Sequence, residues 1–240
     1  MHRFLALALL LTATPALAQD APPKVSASFY AFAYLPGHES IQVPTGSGAF
    51  KTVRLSTANI VGPVDCPVID GKLTLHSTKA PAEGANPAPA VISTAKVPAG
   101  MTRAIVILFP PAAKGTEYRS LVINHDATDF PLGIYRLVNL ANKPVRGAVG
   151  REIVQAKPGG IADLKLTGKP GTVVPVRFEF NEGERWNLLT ETRAAIRDDR
   201  RWLMFIFEDP ATGRMNIRSI PDRTATATRP ATTPATPPAP

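Results

Sequence analysis

Over most of the chain apolar and polar residues alternate singly, the pattern of strands that bury one face. In Val176, Phe178 and Phe180 the apolar positions face one side, and Pro175, Arg177 and Glu179 face the other. Asn181-Glu182-Gly183 then turns the chain into Glu184 to Thr190, which predicts a hairpin. Asp70-Gly71, between Val68-Ile69 and Leu73-Thr74-Leu75, predicts a second, because a two-residue turn with positive φ at both positions suits Asp-Gly. Asp209 to Gly213 separates a third pair, Trp202 to Phe207 and Met215 to Ile220. Ala104 to Phe109 and Trp202 to Phe207 are apolar at every position and too short for typical helices, so both are expected as central strands covered on two faces.

Further strands are expected at Val25 to Tyr34, Phe50 to Leu55, Ala90 to Val97, Tyr118 to Ile123, Gly133 to Leu140, Val145 to Val149, Ile153 to Ala156 and Ile161 to Leu166. Turn signals separate them at Pro36-Gly37, Pro158-Gly159-Gly160 and Lys169-Pro170-Gly171. The one helix candidate is Leu189 to Ile196. The pattern predicts an all-β, Ig-like β-sandwich fold, preferably two tandem sandwiches at residues 24–126 and 127–220. A single large two-sheet domain is the open alternative, since no internal repeat aligns by eye and the division rests on size and on the polar stretch Asn124 to Asp129.

The two ends read differently. Arg3, the apolar run Phe4 to Leu11 and Ala16-Leu17-Ala18 make residues 1–18 a cleavable secretory signal, with the mature chain expected from Gln19. The run falls short of the about 20 residues that span a bilayer, so no membrane span is expected. Gln19-Asp20 stands where a lipid anchor needs cysteine, so no lipid anchor is expected either. Residues 221–240 hold only Pro, Thr, Ala, two arginines and one Asp, too little apolar surface to offset ordering, and read as a disordered tail. Lys79 to Pro89 reads as a long surface loop. The chain is thus expected to be periplasmic or extracellular.

The formal charge of +8 raises an anionic partner, but the basic residues are scattered, as in Val53-Arg54-Leu55, and read as the solvated faces of strands. Arg193, Arg197, Arg200 and Arg201 cluster locally and are diluted by Asp198 and Asp199. Nucleic acid is not an expected partner; an envelope protein or polysaccharide is.

Catalytic chemistry finds little support in the spacing. His125-Asp126 with Asp129 can ligate a metal or orient a base, but His38 and His76 lie far off without ligand spacing, and the segment reads as a connector. The lone Cys66 cannot form an internal disulfide, and Asp65 beside it raises rather than lowers a thiol pKa. Gly46-Ser47-Gly48 lacks a strand-to-helix context, no phosphate or dinucleotide loop is present, and no cofactor is expected. Glu179, Glu182, Glu184 and Glu191 read as hairpin-face glutamates rather than a glycosidase pair. Trp186, Trp202, Tyr30, Tyr34, Tyr118 and Tyr135 suit a sugar-stacking platform but are better explained as core. Arg136 and Asn139, inside the apolar strand Ile134 to Leu140, must find buried partners. No catalytic, cofactor or metal residue is assigned.

Gly133, Tyr135, Arg136 and Asn139, followed by Val145 and Gly150, form a Gly-x-(Tyr/Phe)-Arg-x-x-Asn strand before a Val-x-x-x-x-Gly strand. In these residues and in the closing Arg218-Ser219-Ile220-Pro221-Asp222 the carboxy-terminal half resembles a group of exported bacterial proteins of unassigned function. It is also similar to small envelope β-sandwich domains that accompany polysaccharide export and modification. The resemblance implies a sandwich and a non-catalytic envelope role. The expected function is a binding or structural module; the alternatives are a carbohydrate-interacting accessory protein and, last, a metal- or His-dependent hydrolase using His125 with Asp126 or Asp129.

Overall fold

The computed structural model describes residues 22–46, 48–79, 89–111 and 115–223. The expected signal sequence, most of the Lys79 to Pro89 loop, Ser47 and residues 224–240 lie outside these. The described residues contain sixteen strands and no helix. The first eight are β1 (Lys24–Ala31), β2 (Ser40–Pro44), β3 (Phe50–Arg54), β4 (Val61–Pro67), β5 (Lys72–Ser77), β6 (Val91–Lys96), β7 (Arg103–Phe109) and β8 (Arg119–Asn124). The second eight are β9 (Ile134–Asn139), β10 (Val145–Val149), β11 (Glu152–Ala156), β12 (Ile161–Lys165), β13 (Val173–Glu182), β14 (Arg185–Ala195), β15 (Arg201–Glu208) and β16 (Met215–Asp222).

They form four four-stranded sheets, in the orders β3-β2-β5-β6, β4-β1-β7-β8, β12-β9-β15-β16 and β11-β10-β13-β14. The first two sheets enclose one apolar core and the last two enclose another. A third core joins the two inner sheets face to face, built from Tyr30, Ile105, Ile107 and Ile123 on one side and Ile134, Val138, Leu203, Phe205 and Ile220 on the other. The two sandwiches are therefore stacked as four layers, and each fully buried Ile, Leu or Phe at the seam contributes about 1.5–3 kcal/mol.

This stacking explains the uninterrupted apolar runs. On β7, Ala104, Val106 and Leu108 point into the first sandwich while Ile105 and Ile107 point into the seam. On β15, Leu203 and Phe205 point into the seam and Met204 and Ile206 into the second sandwich. Period two persists, but both faces are apolar because both are covered.

The two halves repeat the same plan. Adding eight to each strand number of the first half reproduces the sheet orders of the second, with the inner pairs β1·β7 and β9·β15 parallel and every other pair antiparallel. Register fixes the equivalences. Ile105 lies opposite Ile123 as Leu203 lies opposite Ile220. Phe32 N donates to Leu108 O at 2.8 Å as Leu140 N donates to Ile206 O at 2.8 Å. Like faces thus meet at the seam, as in the self-complementary interface of a two-fold dimer.

Several expectations are corrected. Leu189 to Ile196 is not helical: through Ala195 it is the distal part of β14, whose ladder with β13 runs from Val173↔Ala195 to Glu182↔Arg185, and β13 offers a partner edge that an isolated segment lacks. The Asp70-Gly71 turn forms with φ of 50° and 70°, closed by the Ile69↔Lys72 bridge. Its flanks then part, β4 to the inner sheet and β5 to the outer, so it is a corner between layers rather than a ladder. Pro221 and Asp222, expected as tail, belong to β16. Two strands, β2 and β4, form beyond those the sequence pattern predicts. The other two hairpins form as expected, the first closing at Glu182↔Arg185 and the last at Glu208↔Met215.

Candidate functional site

The seam has a polar end and an aromatic end. At the polar end the chain crosses from β8 to β9, and the connector is held by two arginines. Arg136 on β9 is 5% exposed and grips Asp163 of β12 through both carboxylate oxygens, at 2.8 and 2.7 Å. It also donates to Asp129 Oδ2 at 2.8 Å and to the carbonyls of Asn124 and Asp129 at 3.2 and 2.7 Å. Burial alone would lower its pKa, but the two carboxylates outweigh burial and raise it. Arg201, at the start of β15, donates to Asp222 Oδ2 at 2.6 Å, to the Phe130 carbonyl and to the His125 carbonyl. Burial pulls the Arg201 pKa down, and Asp222 opposes it.

Phe130 is fully buried between these cations, with guanidinium carbons 4.4 Å (Arg136) and 4.6 Å (Arg201) from its ring centroid. His125 Nε2 and Asp222 Oδ2 are hydrogen-bonded at 2.6 Å, with side chains 2% and 0% exposed. These two residues occupy equivalent places in the repeat: His125 N bonds Arg103 O in the first half, and Asp222 pairs with Arg201 in the second. The bond therefore lies where the two halves meet about their pseudo-two-fold relation.

The expected grouping of His125 with Asp126 or Asp129 does not form. Asp126 accepts from Thr102 Oγ1 at 3.0 Å, and Asp129 pairs with Arg136. The carboxylate on His125 is instead Asp222, from the segment expected to be tail. A His–Asp pair is chemically able to act as base and orienter, but this one is sealed from solvent and acts as a lock between the halves. Arg201 likewise belongs to the buried lock rather than to the exposed Arg197, Arg200 and Asp199 group, in which Arg197 and then Arg200 hold the Asp199 carboxyl well below its ordinary range. Among the described residues no group of three or more His, Cys, Asp or Glu is placed to hold a metal.

Asn139, also buried, donates to the carbonyls of Lys143 and Ala156 at 2.8 and 3.1 Å and accepts from Ala141 N, so its role is structural. Burial, and secondarily Asp65, pushes the Cys66 thiol up to about 12, and it donates to Val64 O. Three of the four hairpin glutamates are engaged in ion pairs: Glu179 with Arg146 and Arg177, Glu182 with Lys143, and Glu191 with Arg177.

The aromatic residues do not converge on one platform. Tyr118 and Tyr135 are core, the latter stacked on Trp202 at 5.9 Å, and Trp186 lies under Arg146. At the aromatic end of the seam, however, Phe32 packs against Phe109, Phe205 and Phe207 at 5.0, 5.9 and 4.8 Å. Beside them Tyr30, Phe32, Tyr34, Thr57 and Arg218 line an open cleft of about 540 Å³. The sequence offers Tyr30 and Tyr34 as stacking candidates better explained as core and gives no signal for Phe32, whose role depends on a neighbour 186 residues away, Arg218.

No protein-family model matches the chain, and no curated protein matches it.

Proposed function

We propose that the chain is an exported, non-catalytic module of the cell envelope that binds or scaffolds through a fixed surface. The observation that carries this reading is the seam. A third apolar core and a buried ionic lock join the sandwiches into one body, whereas tandem domains with small polar interfaces move relative to one another. The export component rests on residues 1–18 and the resemblance on Gly133 to Gly150. Fractionation of cells producing the full chain tests it: processed protein beginning at Gln19 belongs in the envelope fraction, and an unprocessed cytoplasmic product would refute it.

A second reading, a carbohydrate-interacting accessory protein, is favoured by the cleft where Phe32, Tyr34 and Arg218 come together. Retention on anionic glycan columns that falls with added salt supports it. The hydrolase reading ranks last, with His125 on Asp222, Asp126 on Thr102 and Asp129 on Arg136.

A further inference from the structure

We infer that the cleft at the aromatic end of the seam is a binding site for an acidic sugar, with Arg218 receiving the carboxylate. The inference deepens the envelope-module reading and rests on it for the supply of polysaccharide. Arg218 projects from β16, its guanidinium carbon 4.1 Å from the Phe32 ring centroid and 5.8 Å from that of Phe207. It donates to the Phe32 carbonyl, and burial raises the Tyr30 pKa while the neighbouring Arg218 cation opposes the rise. Tyr30 in turn donates to Thr57 O at 2.7 Å.

Among the described residues no carboxylate lies within ion-pair distance of Arg218. The half-buried arginine is thus positioned by the Phe32 carbonyl and the Phe32 and Phe207 rings, without a counter-charge among the described residues. The other buried arginines of the seam, Arg136 and Arg201, each hold a carboxylate. An orphan guanidinium in a concave site is matched by a planar carboxylate, which it can bind through two parallel hydrogen bonds.

Broken symmetry is the second observation. Phe205 lies opposite Arg218 where Ile107 lies opposite Leu121, so the repeat places Leu121 at the position of Arg218 and Leu140 at that of Phe32. Leu121 and Leu140 pack against the seam core as ordinary aliphatic cover. Stability is served by the aliphatic pair; the cation and aromatic ring of the other half bring in recognition chemistry. The ligand class follows from what flanks the cation: Tyr34, 40% exposed on the cleft wall, offers a ring face to the apolar face of a pyranose. The volume lies within the range of small-molecule clefts.

Calorimetric titration of the full mature chain with tetragalacturonate and with its methyl ester tests the inference. Binding of the acid and not of the ester is expected, weaker at higher salt. Arg218→Gln should lower affinity by about tenfold or more, and Tyr34→Ala, at an exposed position, should lower it several-fold with the fold intact. Arg54→Gln, an exposed cation on β3, should leave it unchanged. Equal loss in Arg54→Gln and Arg218→Gln, equal binding of the ester, or no binding by folded protein overturns the site. Thermal melting of the same samples separates this from the parent reading: two independent transitions would remove the rigid module while leaving the titration result to stand or fall alone.

Discussion

At the scale of single residues, the buried charges have the largest consequences. Among the described residues, Asp222 is the carboxylate that meets both His125 and Arg201. Asp222→Ala leaves those groups buried without it, and loss of one partner of a buried pair costs about 3–5 kcal/mol. Urea denaturation should show that loss, and a smaller one in Asp222→Asn, which keeps the shape and a hydrogen-bonding oxygen. Glu179 gives a pH signature. Its side chain is 8% exposed, and the hydrogen bond from Arg146, then that from Arg177, hold its carboxyl below the ordinary 4.5. A lowered native pKa contributes stability that is fully present above the unfolded value and lost as pH falls through the native one. The stability gap between the native chain and Glu179→Gln should therefore be constant above about pH 5 and close progressively below it, as followed by melting temperature against pH. A gap that widens on acidification would contradict the assignment.

At the scale of elements, close contact between sheets decides which small residues are needed. Gly147 on β10 faces Phe178, and a Cβ there would stand 2.7 Å from the ring and 3.0 Å from Leu164 Cδ1. Gly147→Ala should destabilise by about 1–3 kcal/mol through overpacking, whereas Gly183→Ala, with open space around its position but φ of 67°, should be strained by backbone conformation alone. Comparative denaturation of the two separates packing from backbone cost. The element most at odds with its local sequence is β14. Leu189 to Ala195 carries no period-two pattern, and its strand conformation comes from the ladder with β13. The Asp70-Gly71 corner is the opposite case: the turn chemistry is local and legible, while the divergence of β4 and β5 into separate sheets is set by partners distant in sequence, β1 for one and β2 and β6 for the other.

At the scale of the whole molecule, the third core predicts that the two sandwiches unfold together. Calorimetry should give one transition whose van't Hoff and calorimetric enthalpies agree. Ile107→Glu, which places a charge in the fully buried seam, should lower that transition or split it; two transitions in the native chain would show that the seam does not couple the halves. The duplication itself was not legible. The segments Arg103 to Phe109 and Arg201 to Phe207 share an arginine and then apolar character, with Phe as the one further identity. β6 has six residues and β14 eleven, so connecting lengths drift and no constant period survives. A layered architecture constrains which side faces inward far more tightly than which apolar residue stands there.

Alternation of side chains and the glycine and proline turns were enough to establish an all-β chain with its doubly covered strands at Ala104 to Phe109 and Trp202 to Phe207, because strand period and turn geometry are local properties of the backbone. They also marked Arg136 and Asn139 as polar groups in need of partners. Which partners those are, that Asp222 rather than Asp126 meets His125, and that Phe32 and Arg218 share a cleft were decided by the stacking of the sheets. Contacts across a seam join residues 97 and 186 positions apart, and pairing at that separation depends on the register of every layer between them.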